Sequence, residues 1–133
     1  METILLVDDE KFVRRSLEKT LLRAGFEVIT AGSCTEGLAA FQEAESSNPI
    51  PLAILDLNMP GFEGTPETDA GLQLLERLRQ QRSDLKVIIL TAYDEVDKAK
   101  DAIQGGASAY FVKGREQGLV DLIDQLTEES EEK

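Results

Sequence analysis

The chain has 133 residues, which is enough for one domain with a single hydrophobic core. Its 41% hydrophobic and 30% charged residues are typical of a globular protein, and its sequence predicts neither a membrane span nor a signal peptide. The net charge of −12 argues against direct nucleic-acid binding, and the lack of histidine excludes Ser-His catalysis and His-based zinc sites. The single cysteine, Cys34, excludes an internal disulfide.

Strands and helices alternate through the first third of the chain. The apolar run ILLV (4–7) predicts a strand, and the four-residue spacing of Val13, Leu17 and Leu21 predicts a helix that ends near Gly25. FEVIT (26–30) alternates in the manner of a second strand. SCTEGLAAF then opens a second helix with a Ser-x-x-Glu capping box.

The same alternation continues to the end of the chain. LAIL (52–55), VIIL (87–90) and SAYFV (108–112) predict three more strands. GLQLLERLRQ, EVDKAKDAIQGG and GLVDLIDQL predict the helices that follow them, with Gly105 as a C-cap of the fourth. FEGTPETDA (62–70) is rich in turn formers and acids, which indicates an exposed loop before the third helix.

The order of these elements predicts the architecture. Unbroken apolar strands are typical of parallel sheets that are covered on both faces, and five βα units in succession predict a doubly wound α/β domain with right-handed crossovers. The acidic end TEESEEK (127–133) has no apolar face, so after a domain spanning 1–126 we expect an acidic tail that is a frayed, solvated helix end or the start of a linker.

Polar side chains collect where the predicted strands end. The first strand runs into Asp8 and Asp9, the third into Asp56, the fourth into Thr91 and the fifth into Lys113. Ligands of open α/β sheets bind outside these carboxyl ends, so we expect the five side chains to lie together. Because three carboxylates repel one another, such a site favours a divalent cation and a lysine ammonium.

The donors in this set indicate its chemistry. Oxygen ligands without His or Cys select Mg²⁺, Mn²⁺ or Ca²⁺, and a site with few protein ligands suits Mg²⁺ best, with Mn²⁺ as a substitute. A phosphoryl group is the substrate that suits such a centre. Asp56, at the end of a buried strand, is placed to attack phosphorus as a carboxylate nucleophile.

Four segments together resemble the receiver domain of response regulators in two-component signalling: ILLVDDE, LAILDLNMPG, VIILTAYD and GASAYFVKG. The resemblance runs through nearly the whole chain up to its tail. It implies a flavodoxin-like (βα)5 fold of strand order 2-1-3-4-5. It also implies a cytoplasmic, phosphorylation-dependent switch, which catalyses only its own phosphotransfer and dephosphorylation and therefore is not an enzyme acting on external substrates.

The resemblance also implies a role for each matching residue. Asp56 corresponds to the phosphoacceptor, Asp9 to a direct Mg²⁺ ligand and Asp8 to an acid that holds the metal through water. The remaining correspondences are the backbone carbonyl of Asn58 as a metal ligand, Lys113 as the partner of the acyl phosphate, and Thr91 with Tyr110 as the switch pair.

The implied partners act from outside this chain. The phosphoryl donor would be a phosphohistidine of a sensor histidine kinase or phosphotransfer protein, since this chain has no histidine. A downstream output protein or domain would read the phosphorylated state, and neither nucleic acid nor a membrane is expected to contact this segment directly.

Two features depart from the family pattern. Gly114 stands where relatives usually have a proline joined by a cis peptide, and because a cis bond before a non-proline residue costs about 2.5–4 kcal/mol, we predict a trans Lys113–Gly114 bond. The segment 62–70 is longer than the usual turn and adds acids near the site.

Other interpretations of the chain are open at this stage. One is a phosphohydrolase of the haloacid dehalogenase type, although its general acid, two residues after the nucleophile, would here be Asn58. Another is a receiver-like interaction module that is not phosphorylated.

Several of the residues also have simpler interpretations. Asp8 and Asp9 could serve only as a helix cap, Thr91 as a loop cap, and Lys113 as a solvated strand end. Tyr110 could only pack, and Cys34 is best interpreted as a small, partly buried residue.

Overall fold

The computed structural model describes residues 2–57, 70–92, 95–114 and 116–131. These residues form five strands: β1 (Thr3–Val7), β2 (Glu27–Ala31), β3 (Leu52–Asp56), β4 (Lys86–Thr91) and β5 (Ala109–Val112). They also form five helices, which are α1 (Lys11–Arg23), α2 (Cys34–Glu45), α3 (Ala70–Gln81), α4 (Val96–Gln104) and α5 (Glu116–Glu131). None of these helices has both the length and the apolarity needed to cross a bilayer.

The strands make one parallel sheet in the order β2-β1-β3-β4-β5, which confirms the predicted doubly wound architecture and strand order. The register aligns the strand ends. Val7 pairs with Leu55, and Thr91 pairs with Val112. The residues that follow or end these strands therefore reach the same edge of the sheet.

Both faces of the sheet are buried, which explains the unbroken apolar strands. Leu5 and Val7 of β1 belong to a core shared with α2, α3 and α4, whereas Ile4 and Leu6 belong to a second core shared with α1 and α5. Successive strand residues point to opposite faces, and because both faces are covered, the positions from Ile4 to Val7 in β1 and from Leu52 to Leu55 in β3 are all apolar. Asp56, at the last position of β3, is buried as well, and burying its charged carboxylate costs free energy of folding.

Two predicted helix caps agree with the structure. Ser33 caps α2 by accepting a hydrogen bond from the Glu36 amide at 3.2 Å, and Gly105 is the C-cap of α4. One boundary is corrected. Ala70 was assigned to the exposed loop 62–70, but it is buried and opens α3. Its small apolar side chain faces the core, and the rest of that predicted loop lies outside the described residues.

At the end of the chain, α5 runs to Glu131 and so passes the predicted domain end at 126. The boundary between the domain and a tail at 127–133 stays a prediction.

Candidate functional site

The backbone fixes the first two acids of the site at the end of β1. The Asp8 amide donates to the Ala31 carbonyl at 3.1 Å, which extends the pairing of β1 with β2 by one residue. Arg14 donates from Nη1 to the Asp8 carbonyl at 2.7 Å, so a side chain from the first turn of α1 holds the other backbone polar group of the same residue. Asp8 is buried and Asp9 is exposed.

The third acid is fixed by the neighbouring strands. Asp56 pairs with Leu90 in the sheet, and the next amide, that of Leu57, donates to the Leu90 carbonyl at 3.1 Å. Asp8, Asp9 and Asp56 each place a carboxylate oxygen within 4.8 Å of the other two. The structure thus brings together three acids that sequence reasoning assigned to one site.

Lys113, the residue directly after β5, completes the cluster. Its Nζ lies 3.2 Å from Asp56 Oδ2 and 3.4 Å from Asp8 Oδ2. The Lys113–Gly114 peptide bond is trans, as predicted, and Gly114 has φ of +100°, which lets the chain turn away directly after the lysine. The departure at Gly114 therefore leaves Lys113 within reach of both buried acids.

The close approach of these charges shifts their pKa values. Burial, together with the negative charge of Asp8, raises the pKa of Asp56 to about 7, although Lys113 acts in the opposite direction. Burial alone would lower the pKa of Lys113, but its hydrogen bond to Glu10 and the attraction of Asp56 and Asp8 outweigh this and raise it. Lys113 therefore stays positively charged, whereas the carboxyl group of Asp56 changes between its protonated and ionised forms near neutral pH.

The acids fit a hard divalent cation. Asp8 Oδ2 is buried and accepts no hydrogen bond from the described part of the chain, although Lys113 lies at ion-pair distance. A buried carboxylate oxygen in that position costs free energy unless a cation offsets its charge. The cluster contributes only oxygen ligands, and the exposed Asp9 leaves one side open to water, which suits Mg²⁺.

The two residues predicted to form a switch lie on adjacent strands. Thr91 is buried at the end of β4, and its hydroxyl donates to the Ala92 carbonyl at 3.1 Å. Tyr110 is half-buried on β5, where it pairs with Ile89 and packs against the core under α4. These contacts are the ones expected if Tyr110 only packs and Thr91 only caps the loop after β4. The switch roles stay predictions.

Two further predictions concern residues outside this cluster. Asn58, the predicted source of a metal-binding carbonyl, lies outside the described residues. Cys34 is fully buried and donates from Sγ to the Ala70 carbonyl at 3.4 Å, and burial raises its pKa to about 11. It is therefore a small buried residue, as predicted, although it is buried completely rather than partly.

Sequence reasoning missed three residues that shape the site. Glu10 contacts Lys113, Arg14 holds the Asp8 carbonyl, and Gly71 lets α3 pass the end of β3. Glu10 carried a signal, because an acid directly after Asp8 and Asp9 adds to a charge cluster that needs a cation. The other two gave none, since an arginine in an amphipathic helix and a glycine after alanine are unremarkable.

Comparisons with known proteins agree with this geometry. The sequence model of the response regulator receiver domain matches residues 4–124. The chain is 36% identical to the response regulator protein FleR of Pseudomonas aeruginosa, over 90% of this chain and 23% of that protein. It is 38% identical to a probable transcriptional regulator, ycf27, of Pyropia yezoensis, over 84% of this chain and 41% of that protein. The chain therefore spans less than half the length of these curated relatives.

Solved structures give the same result. A response regulator receiver domain protein from Clostridium thermocellum is 31% identical, with a TM-score of 0.85 and 98% of each chain covered. The response regulator TrrA of Thermotoga maritima, solved with Mg²⁺ and BeF, is 32% identical with a TM-score of 0.77, over 95% of this chain and 99% of that one.

The fold is thus that of the flavodoxin-like α/β domains, with its acidic cluster at the carboxyl edge of the sheet. This chain belongs to the response regulator receiver domain family of two-component systems. Receiver domains are generally switches rather than enzymes.

Proposed function

We propose that this chain is a phosphorylation-dependent switch that accepts a phosphoryl group on Asp56 from a histidine kinase or phosphotransfer protein, with Mg²⁺ bound. One observation carries the proposal: Asp56 is buried at a strand end with Lys113 Nζ at 3.2 Å and with Asp8 and Asp9 close enough to share one cation. A purely structural strand end would have no need to bring an ammonium and three carboxylates this close together.

The transfer uses groups that this arrangement supplies. A carboxylate oxygen of Asp56 forms a bond to phosphorus while the donor's bond to phosphorus breaks, and the leaving group departs with its electron pair. Lys113 stabilises the negative charge on the phosphoryl oxygens. A bound Mg²⁺ would supply further neutralisation of those oxygens, and the proposed ligands are Asp9, Asp56 and the Asn58 carbonyl, with Asp8 acting through water.

The readout is a change of conformation between two states. Thr91 and Tyr110 lie on the neighbouring strands β4 and β5, beside α4, so a hydroxyl drawn toward an acyl phosphate would leave its contact with the Ala92 carbonyl and let Tyr110 change rotamer. An output protein or domain in the cytoplasm would read that change. Both the output protein or domain and the phosphoryl donor are part of this proposal.

The proposal is tested by intact mass after incubation with acetyl phosphate. We expect one phosphoryl adduct in the presence of Mg²⁺ and none after chelation with EDTA. The adduct should map to the peptide that contains Asp56 and should disappear in hydroxylamine, which cleaves acyl phosphates. Steady release of phosphate from phosphomonoesters would instead favour a phosphohydrolase, and the absence of any adduct would favour an interaction module.

Metal binding should depend on pH through Asp56. Because the pKa of Asp56 is raised to about 7 in the metal-free protein, a proton and the cation compete for the same carboxylate near neutrality. We expect the apparent affinity for Mg²⁺ to be constant above roughly pH 8 and to fall by up to about tenfold for each pH unit below 7. Calorimetric titration at several pH values measures this.

An Asp56→Asn variant is the control for that titration. Above about pH 8, where Asp56 is ionised in wild type, the variant should bind Mg²⁺ more weakly, and its affinity should lack the fall near neutrality. A wild-type affinity that stays constant down to about pH 5.5 would show that Asp56 does not titrate near 7 or does not contact the metal.

A further inference from the structure

Lys113 has a third carboxylate partner that the proposed reaction does not use. Its Nζ donates to Glu10 Oε1 at 2.7 Å, which is shorter than its distances of 3.2 Å to Asp56 and 3.4 Å to Asp8. Glu10 and Lys113 are 103 residues apart in the chain, so the contact depends on the fold. The three acids differ in burial, because the Glu10 side chain is 58% exposed, whereas those of Asp56 and Asp8 are 4% and 0% exposed.

The position of Glu10 directs its side chain toward the lysine. Glu10 is the N-cap of α1, yet its side chain makes no capping hydrogen bond to the helix. Its amide donates to Asp8 Oδ1 at 2.9 Å, which fixes its backbone against the acid cluster. The residue thus forgoes the usual contact of a cap residue, and its carboxylate lies on Lys113 instead.

This contact matters because a phosphoryl group on Asp56 would need the same ammonium. A lysine has three N–H donors and is attracted to whichever anions lie nearest. Asp8 and Asp56 are buried in the sheet edge and cannot withdraw, whereas the exposed Glu10 can turn into water at little cost. Glu10 also adds a fourth negative charge beside a site that must receive an anionic donor.

We infer that Glu10 is a positioning residue that competes with the phosphoryl group for Lys113 and so limits the rate at which Asp56 is phosphorylated. The Glu10 carboxylate accepts a hydrogen bond from the Lys113 ammonium while Asp56 is unphosphorylated, and it releases the ammonium to the phosphoryl oxygens during transfer. This role rests on the proposed function of Asp56. Because Asp56 and Asp8 still hold Lys113 when Glu10 is absent, removing Glu10 removes the competitor and leaves the lysine in place.

The test compares Glu10→Gln with Glu43→Gln, which makes the same change of net charge at an exposed position of α2. With acetyl phosphate and Mg²⁺, we expect Glu10→Gln to raise the phosphorylation rate constant by about three- to tenfold and Glu43→Gln to change it by less than about 1.5-fold. Thermal unfolding of both variants checks that they fold alike.

A double-mutant cycle with Lys113→Gln separates competition for the lysine from simple charge repulsion. In the Lys113→Gln background, with its slower labelling followed to long times, Glu10→Gln should have an effect of less than about twofold, because there is no ammonium left to release. Equal acceleration in both backgrounds would show direct repulsion and overturn the role, as would equal rates for wild type and Glu10→Gln. Absence of labelling in the wild type contradicts the proposed function and this role together, whereas normal wild-type labelling with no effect of Glu10 contradicts this role alone.

Discussion

Asp56→Asn is expected to abolish phosphoryl labelling while it stabilises the unphosphorylated protein. The amide cannot attack phosphorus, so the adduct seen by intact mass should disappear. The same change removes a buried negative charge beside Asp8, and burial together with that charge already raises the pKa of Asp56 to about 7. We expect the free energy of unfolding in the absence of metal to rise by about 1–3 kcal/mol at roughly pH 8, measured by urea denaturation.

The increase in unfolding free energy that we expect for Asp56→Asn depends on pH in a definite direction. A carboxyl whose pKa is raised from 3.8 to about 7 binds more protons in the folded than in the unfolded state. Its protonated form therefore stabilises wild type at low pH, and this contribution is lost as pH rises from about 4 through 7. The variant has no such group, so its advantage should be largest above about pH 7 and should shrink toward pH 4.

A matched substitution controls for the loss of one negative charge. Asp121 is exposed on α5, so Asp121→Asn makes the same change in net charge without altering the acid cluster. It should leave labelling intact and change the unfolding free energy by less than about 0.5 kcal/mol. If Asp56→Asn destabilised the metal-free protein at pH 8, Lys113 would be compensating the Asp56 charge in full, and Asp56 would not be the strained group that its burial indicates.

The fold and most of the charged cluster could be predicted because they follow from local patterns. A strand covered on both faces must be apolar at every position, so its end is marked by the first charged residue. Asp8 and Lys113 were read in that way, and the rule that parallel strands present their carboxyl ends at one edge brought them together. Asp56 was read in the same way, although it is the last residue of β3 itself and is buried, where Lys113 beside it offsets part of the cost of its charge.

The remainder depended on side-chain directions and on close packing, which local patterns do not encode. Glu10 could have capped α1, and only the fold shows that its carboxylate turns to a lysine 103 residues away. Arg14 lies in the first part of a helix in which solvated basic residues are expected, yet it reaches back to the Asp8 carbonyl. The start of α3 was misplaced by one residue because Ala70 directly follows a run of turn formers and acids, and its burial, which places it in the helix, is a tertiary property.

Gly71→Ala is expected to weaken the fold and the site together. A Cβ at position 71 would lie 2.6 Å from the Asp56 carbonyl oxygen and 2.8 Å from both Cα and the carbonyl oxygen of Leu57. These are backbone atoms of the strand end that carries the phosphoacceptor, so they cannot turn aside as a flexible side chain would. Either α3 moves away from β3 or the strand end shifts. We expect the unfolding free energy to fall by about 2–4 kcal/mol and the phosphorylation rate to fall by about tenfold or more.

Gly105→Ala is the matched control, because its added Cβ would approach no atom closer than 3.5 Å and its φ of −83° suits any residue. It should change the unfolding free energy by less than about 1 kcal/mol and leave the labelling rate unaltered. Gly71→Ala need not change the unfolding free energy and the phosphorylation rate to the same extent. Comparing the two changes shows whether α3 or the end of β3 has moved. Loss of stability with a normal rate would mean that α3 moves and Asp56 does not, whereas a slower reaction in a stable protein would mean that the strand end yields. If neither quantity changed, the contact between Gly71 and the end of β3 would not be as close as the structure places it.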